Sequence, residues 1–315
     1  MKFMKKITLA AIMAMLSSVA VAGESVRPIK EVFEPAGNFP ENQFWKVAVV
    51  QWNPGENSVR NVTEAARKSS LQRNQSEMDA RVREAASQGA KFVVLSEFAL
   101  TGYPISSELQ DPETENYENP EQVWPYAETI PGDSTRFFGK LAKELGVWIQ
   151  YGLAERATIK GKKGIYNTAV VVNEQGKVVA THRKWSLFEA EVNYVTPGTT
   201  AQVFDTPVGK MGLLICADVY DSRLLSLYRS QGVQVLSLST SWAQMNTGMG
   251  YFQRAARSTN SYLLAANQTY YPDSGVINPD GKNQSHIRQS GDAIAYGYLP
   301  LVKSTNKKPL PRGGR

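Results

Sequence analysis

The feature that most constrains this chain is a set of short apolar runs with no face left for water: Trp45–Gln51 (WKVAVVQ), Phe92–Leu95, Met211–Ile215 and Val233–Leu238. Runs this short, rich in Val, Ile and Leu and without apolar-polar alternation, read as strands covered on both sides. Between them lie segments with helical spacing. Ser69–Ser87 carries Leu71, Met78, Val82 and Ala86 along one stripe and is stopped by Gly89. Thr135–Leu145 sets Phe137, Phe138, Leu141 and Leu145 on one face and ends at Gly146. Further strands are expected at Trp148–Leu153, Tyr166–Val172, Val178–Arg183, Tyr262–Asn267 and Ala293–Leu301, and helices at Asp221–Gln231 and Thr247–Ser261. Glu174-Gln175-Gly176 reads as a hairpin turn and Asn278–Gly281 as another turn. No fixed-period repeat and no internal linker divides this alternation. The chain therefore predicts an α/β fold, one domain of stacked sheets covered by helices.

The two ends differ from this middle. Lys2, Lys5 and Lys6, the apolar Ile7–Leu16 and the small residues Ala20-Val21-Ala22 predict a secretory signal peptide over 1–22. Its apolar run is shorter than the roughly 20 residues that cross a bilayer, and no later stretch is long enough. Removing 22 of 315 residues leaves 293 and lowers the net charge from +6 to +3, too mild a balance to imply nucleic acid. Residues 23–43, with Pro28, Pro35 and Pro40, read as an N-terminal tether, 44–302 as the domain and 303–315 as a basic flexible tail. Export to the periplasm or the extracellular space is expected. The acidic stretch Ser106–Thr129, punctuated by Pro112, Pro120 and Pro125, reads as a long loop of the kind that often serves as a lid.

Two histidines, His182 and His286, and one cysteine make a zinc site of His and Cys ligands improbable. There is no GxSxG, no GxxxxGK[ST] and no GxGxxG after a strand, so no metal or organic cofactor is implied. Three strand ends remain: Glu97 in LSEFALTGYP, Lys184 in RKWSLF, and Cys216 closing the Met211–Ile215 run. Each has an ordinary explanation. A lone cysteine is usually packing, a strand-end carboxylate is usually solvated, and a lysine beside a tryptophan usually snorkels. A cysteine–histidine pair is possible on paper, yet nothing in the sequence brings either histidine to Cys216.

Taken together, the blocks E-F-x-x-T-G-Y-P at Glu97, R-K-x-x-L-F at Lys184 and G-x-x-I-C-x-D at Cys216 resemble the nitrilase superfamily of carbon–nitrogen hydrolases. The resemblance runs from Val47 through Ser241-Trp242 to Ser274-Gly275 and Asp280-Gly281. It implies a four-layer α-β-β-α sandwich of nitrilase type with no cofactor. Cys216 would be the nucleophile, Glu97 the general base, and Lys184, with the Ala217 backbone N–H, the group that meets the tetrahedral oxyanion. The second glutamate of many family members corresponds to Glu191 or, equally, Glu189. Trp242 lines the substrate pocket or packs the core. Family members often pair through the helices flanking the cysteine strand, so a homodimer is expected.

The blocks around Phe204–Lys210 and Leu264–Asn267 look most like the secreted vanin and biotinidase branch, though the disulfide cysteines and additional domain of that branch are missing. The leading expectation is an exported amidohydrolase acting on a small linear amide through a cysteine acyl-thioester. Nitrile hydrolysis by the same site is the alternative within enzymes. Ala217, Val219 and Tyr220 depart from the commoner residues after the nucleophile, which also admits a catalytically idle binding or assembly protein. An activated thiolate would be alkylated at mildly acidic pH, and an inert thiol would not.

Overall fold

The computed structural model describes residues 27, 29, 31–54, 58–104, 116–242, 247–268 and 272–302. The expected signal segment, the basic tail and the acidic loop up to residue 115 lie outside the described residues.

A seven-stranded sheet contains β1 (Glu31–Phe33), β2 (Phe44–Gln51), β3 (Phe92–Val94), β4 (Trp148–Ile159), β5 (Lys162–Val172), β6 (Val178–Arg183) and, from the end of the domain, β13 (Ala293–Pro300). Its order is β1-β13-β2-β3-β4-β5-β6. The second sheet contains β7 (Val203–Thr206), β8 (Gly209–Ile215), β9 (Val235–Ser239), β10 (Tyr262–Ala266), β11 (Ser274–Ile277) and β12 (Asn283–Ile287), in the order β12-β11-β10-β9-β8-β7. Helices α1 (Glu64–Ser87) and α3 (Asp133–Leu145) cover the first sheet, and α4 (Ser222–Ser230) and α5 (Gly248–Thr259) cover the second. A single-turn α2 (Pro120–Val123) sits inside the stretch expected to be loop, started by Asn119, whose side chain accepts the Gln122 N–H.

Side-chain alternation explains the four layers. Along β2, Ala48 and Val50 pack with Met78 and Val82 of α1, while Val47 and Val49 point into a core shared with Met211, Leu213 and Ile215 of β8. Leu214 faces the other way, onto Leu224 and Tyr228 of α4 and Phe252 of α5. With both faces of both sheets buried, a run such as VAVV has no polar position. Each fully buried aliphatic side chain contributes about 1.5–3 kcal/mol. The α-β-β-α sandwich expected from the family resemblance is the architecture observed.

Boundaries differ where solvent masks the pattern. The segment expected as a tether supplies β1, which pairs in parallel with β13. Helix α1 starts at Glu64 rather than Ser69, because the Thr63 hydroxyl caps the Ala66 N–H although most of this first stretch is exposed. β4 and β5 extend as a hairpin beyond Leu153, where their mostly exposed residues carry no apolar run. The turn at Asn278–Gly281 joins β11 to β12 in a hairpin that the sequence reading did not include.

Candidate active site

Glu97 follows β3 at the point where the chain leaves the sheet. Phe98, next in line, takes a left-handed φ of 46°, and the Ala99 N–H returns to the Gly152 carbonyl at 2.9 Å. A Cβ on Gly152 would stand 2.9 Å from Phe98 N and 3.0 Å from Glu97 Cα, so only glycine lets β4 pass this close. The Glu97 carboxylate is fully buried. Its Oε2 accepts the Ser241 N–H at 2.9 Å, and its Oε1 accepts from Asn167 Nδ2 at 2.6 Å and Lys184 Nζ at 2.9 Å.

Lys184 follows β6 and is likewise buried. Its ammonium lies between Glu97 Oε1 and Glu191 Oε2, the latter at 2.6 Å. Glu191 belongs to a 3-10 turn over Glu189–Asn193, where Oε2 also accepts the Phe188 N–H at 2.8 Å. Its Oε1 accepts from Asn167 Nδ2 at 3.0 Å and from the Tyr103 hydroxyl at 3.4 Å. Glu189 is exposed. Of the two glutamates that the sequence left open, it is Glu191 that holds the lysine. Asn167, which bridges both carboxylates, stands in β5 with nothing around it in the sequence to single it out.

Cys216 directly follows β8 and opens a 3-10 turn over Cys216–Tyr220, with a left-handed φ of 42°. Such a conformation costs a non-glycine residue of order 1–3 kcal/mol and persists where its surroundings fix it. Asp218 does the fixing. Its Oδ2 accepts the Ile215 N–H at 3.0 Å and contacts His182 Nε2 at 2.7 Å. Its Oδ1 accepts the N–H groups of Trp185 and Ser186 at 2.9 and 2.8 Å. One buried carboxylate thus ties the strand end bearing the cysteine to the strand end bearing the lysine. His182 supports Asp218, and His286 pairs with Asp273 at 2.7 Å, so both histidines have carboxylate partners.

Burial pushes the Cys216 thiol up to about 12, because Glu97 and Glu191 add to the desolvation penalty and outweigh the help of Lys184 and the Thr240 hydroxyl. At rest these surroundings favour the protonated thiol over the thiolate. Burial also raises the Glu97 carboxyl, with Lys184 opposing and Glu191 reinforcing the shift. Burial works against the Lys184 ammonium too, yet the two glutamates prevail and hold it well above the usual lysine range. All three charges register at the sulfur.

The thiol opens into a cavity of about 210 Å³ lined by Phe188, Cys216, Ala217, Tyr220, Ser241, Trp242 and Tyr251. Ala217 lies in the first turn after the strand, where backbone N–H groups have no helical acceptor. The site thus sets a nucleophilic atom in the wall of one small chamber, with the buried carboxylates and ammonium acting on it electrostatically.

Residues 46–306 match the family model described as carbon-nitrogen hydrolase. The chain belongs to the carbon–nitrogen hydrolase family. It is a hydrolase of carbon–nitrogen bonds other than peptide bonds. This carbon–nitrogen hydrolase is 30% identical to the omega-amidase NIT2 of Danio rerio, over 70% of the chain and 80% of that protein. It is 33% identical to a nitrilase of Pyrococcus abyssi, over 84% of the chain and 92% of that protein. In structure it resembles a mutant of the amidase from Nesterenkonia sp. whose active-site cysteine carries the acetamide moiety of fluoroacetamide. That likeness has a TM-score of 0.64 at 19% identity and covers 84% of this chain and 93% of the other. The family expectation thus stands, while these relatives are omega-amidase and nitrilase rather than vanin or biotinidase.

Proposed function

We propose that the chain hydrolyses a small linear amide through an acyl-thioester on Cys216. The observation that carries this reading is the buried Glu97–Lys184–Glu191 cluster whose charges act on the Cys216 sulfur at the wall of the cavity. Sγ attacks the carbonyl carbon as its proton passes to Glu97, and the carbonyl π pair moves to oxygen. The oxyanion is met by the Lys184 ammonium and the Ala217 N–H; losing one such donor typically costs about 100-fold or more. Collapse breaks the C–N bond, and the departing amine takes the proton from Glu97. Water then attacks the thioester, giving its proton to Glu97, and the acid leaves as Sγ is reprotonated. Glu191 holds Lys184 in place throughout.

The test is intact-mass trapping with a pool of small amides. A mass increase on the wild-type chain that is lost in Cys216→Ala, together with Cys216-dependent release of ammonia, supports the reading. Undiminished hydrolysis by Cys216→Ala ends it. The similarity to a nitrilase makes nitriles the parallel arm of the same assay. The basic and apolar residues of 1–22 support export, tested by the N-terminus of the mature chain. The family habit of pairing supports a homodimer, tested by light scattering.

A further inference from the structure

We infer that the acyl half of the substrate is uncharged and apolar, so that the site disfavours monoamides of dicarboxylic acids. This inference rests on the hydrolase reading for its chemistry and on the cavity wall for its selectivity.

The wall is mostly aromatic, four of its seven lining residues being Phe188, Tyr220, Trp242 and Tyr251. Tyr220, Trp242 and Tyr251 contact one another, with ring centroids 5.3–6.2 Å apart, and Phe188 joins them in the lining. Rings this close together leave no room for a cation between them and form a wall rather than a cage. The polar atoms of Trp242 are spent elsewhere: its Nε1 donates to Thr247 Oγ1 at 2.9 Å and its backbone N–H to Asn267 Oδ1 at 2.8 Å. What it offers the cavity is ring surface.

Among the described residues, none that lines the cavity carries a positive charge. Lys184, the cation that acts on the sulfur, is already held by two carboxylates at 2.9 and 2.6 Å, which leaves the buried cluster with net negative charge. Arg254 does approach Tyr251, its Cζ 5.4 Å from the ring centroid, but it lines the neighbouring cleft together with Arg229 and Ser258. A second carboxylate on the substrate would lose its water beside aromatic carbon and a net negative cluster, with no counter-charge to replace it. An alkyl or aryl group loses nothing there. At the roughly 30 Å³ a water occupies in the liquid, 210 Å³ holds a group of about seven heavy atoms.

An isosteric pair tests this: 4-methylpentanamide and succinamate, which share an amide and a two-carbon spacer and differ in ending as isopropyl or carboxylate. Binding to the Cys216→Ala chain is measured by calorimetry, with Cys216→Ser as the second variant should the first not fold, and ammonia release by the wild type is followed in parallel. Binding of the neutral amide at least tenfold tighter, with a kcat/KM at least about 100-fold higher, is the expected result. Tyr220→Arg, which puts a cation at an exposed position of the lining, should shrink the difference by raising turnover of succinamate. Equal or tighter binding of succinamate overturns the inference. The binding preference without ammonia from either compound would instead overturn the hydrolase reading and leave the selectivity of the cavity in place.

Discussion

Replacing Asp218 by asparagine keeps shape and removes charge, and the structure fixes what each atom would lose. Oδ1 can go on accepting the Trp185 and Ser186 N–H groups, but as a neutral amide, which forfeits about half the strength of each charge-assisted bond. The amide nitrogen at the Oδ2 position faces the Ile215 N–H at 3.0 Å, donor against donor, and orphans a buried backbone group at a cost of about 1–3 kcal/mol. His182 can adapt by changing tautomer, since its Nδ1 has no partner among the described residues. The net loss is about 3–5 kcal/mol. At roughly 2 °C per kcal/mol for a domain of this size, Tm should fall by about 6–10 °C. Because the same carboxylate positions both the Lys184 and Cys216 strand ends, kcat/KM for an amide should fall about 100-fold even well below Tm, the usual price of misplacing a catalytic group by about 1 Å. Asp218→Ala, which removes all four acceptor contacts, should be worse on both counts. Thermal unfolding and steady-state ammonia release decide it: an Asp218→Asn chain within 1–2 °C and about twofold of wild type would refute the positioning argument.

Lys184→Met should cost about 3–5 kcal/mol by leaving two buried carboxylates without their cation. Glu97 already has a raised pKa from burial, and a carboxyl whose folded pKa exceeds its unfolded one favours the folded state as pH falls. The deficit in urea unfolding should therefore be smaller at pH 5 than at pH 7, and an equal deficit would contradict the burial account. Gly152→Ala should force Phe98 and Glu97 outward and lower kcat/KM by about 100-fold with a smaller change in KM; wild-type kinetics would show that the close approach is not needed. With its thiol near 12, Cys216 should be about one part in 10⁵ thiolate at pH 7, against roughly one in 30 for an ordinary cysteine. Iodoacetamide labelling should then rise about tenfold per pH unit from 7 to 10, and a plateau beginning below pH 8 would refute it.

Much of the fold was legible because burial on both faces of a strand leaves its mark residue by residue, as in Val47–Val50 and Met211–Ile215. Glu97, Lys184 and Cys216 were legible for a related reason: each is a polar residue closing such a run, set in a block with its own glycine, proline or aromatic context. Asn167, Asp218 and Gly152 were not. Asn167 acts on partners 70 and 24 positions away, and Gly152 matters only through a backbone that arrives from another strand. Asp218 closes the cysteine block, but its role depends on Trp185 and Ser186, 33 and 32 positions earlier. The β4–β5 extension and β1 were hidden by exposure, since strands paired mainly by backbone hydrogen bonds need no apolar side chains.

The charge count in the site bears on when the proton moves. One ammonium between two carboxylates gives a net negative charge, and that field penalises a thiolate in the resting chain. The same field does not penalise attack in the same way. In the proposed mechanism, negative charge leaves sulfur for the carbonyl oxygen and its Lys184 and Ala217 donors as the C–S bond forms, while the proton goes to a Glu97 whose carboxyl burial has already made more basic. On that mechanism the cluster favours the charge distribution of the tetrahedral state over that of a free thiolate. Neutralising Glu191 should separate the two: in Glu191→Gln the resting thiol pKa falls and iodoacetamide labelling at pH 7 speeds up, while amide turnover slows because Lys184 has lost its anchor. Labelling and turnover that change in the same direction would show that the thiolate population, and not the tetrahedral state, sets the rate.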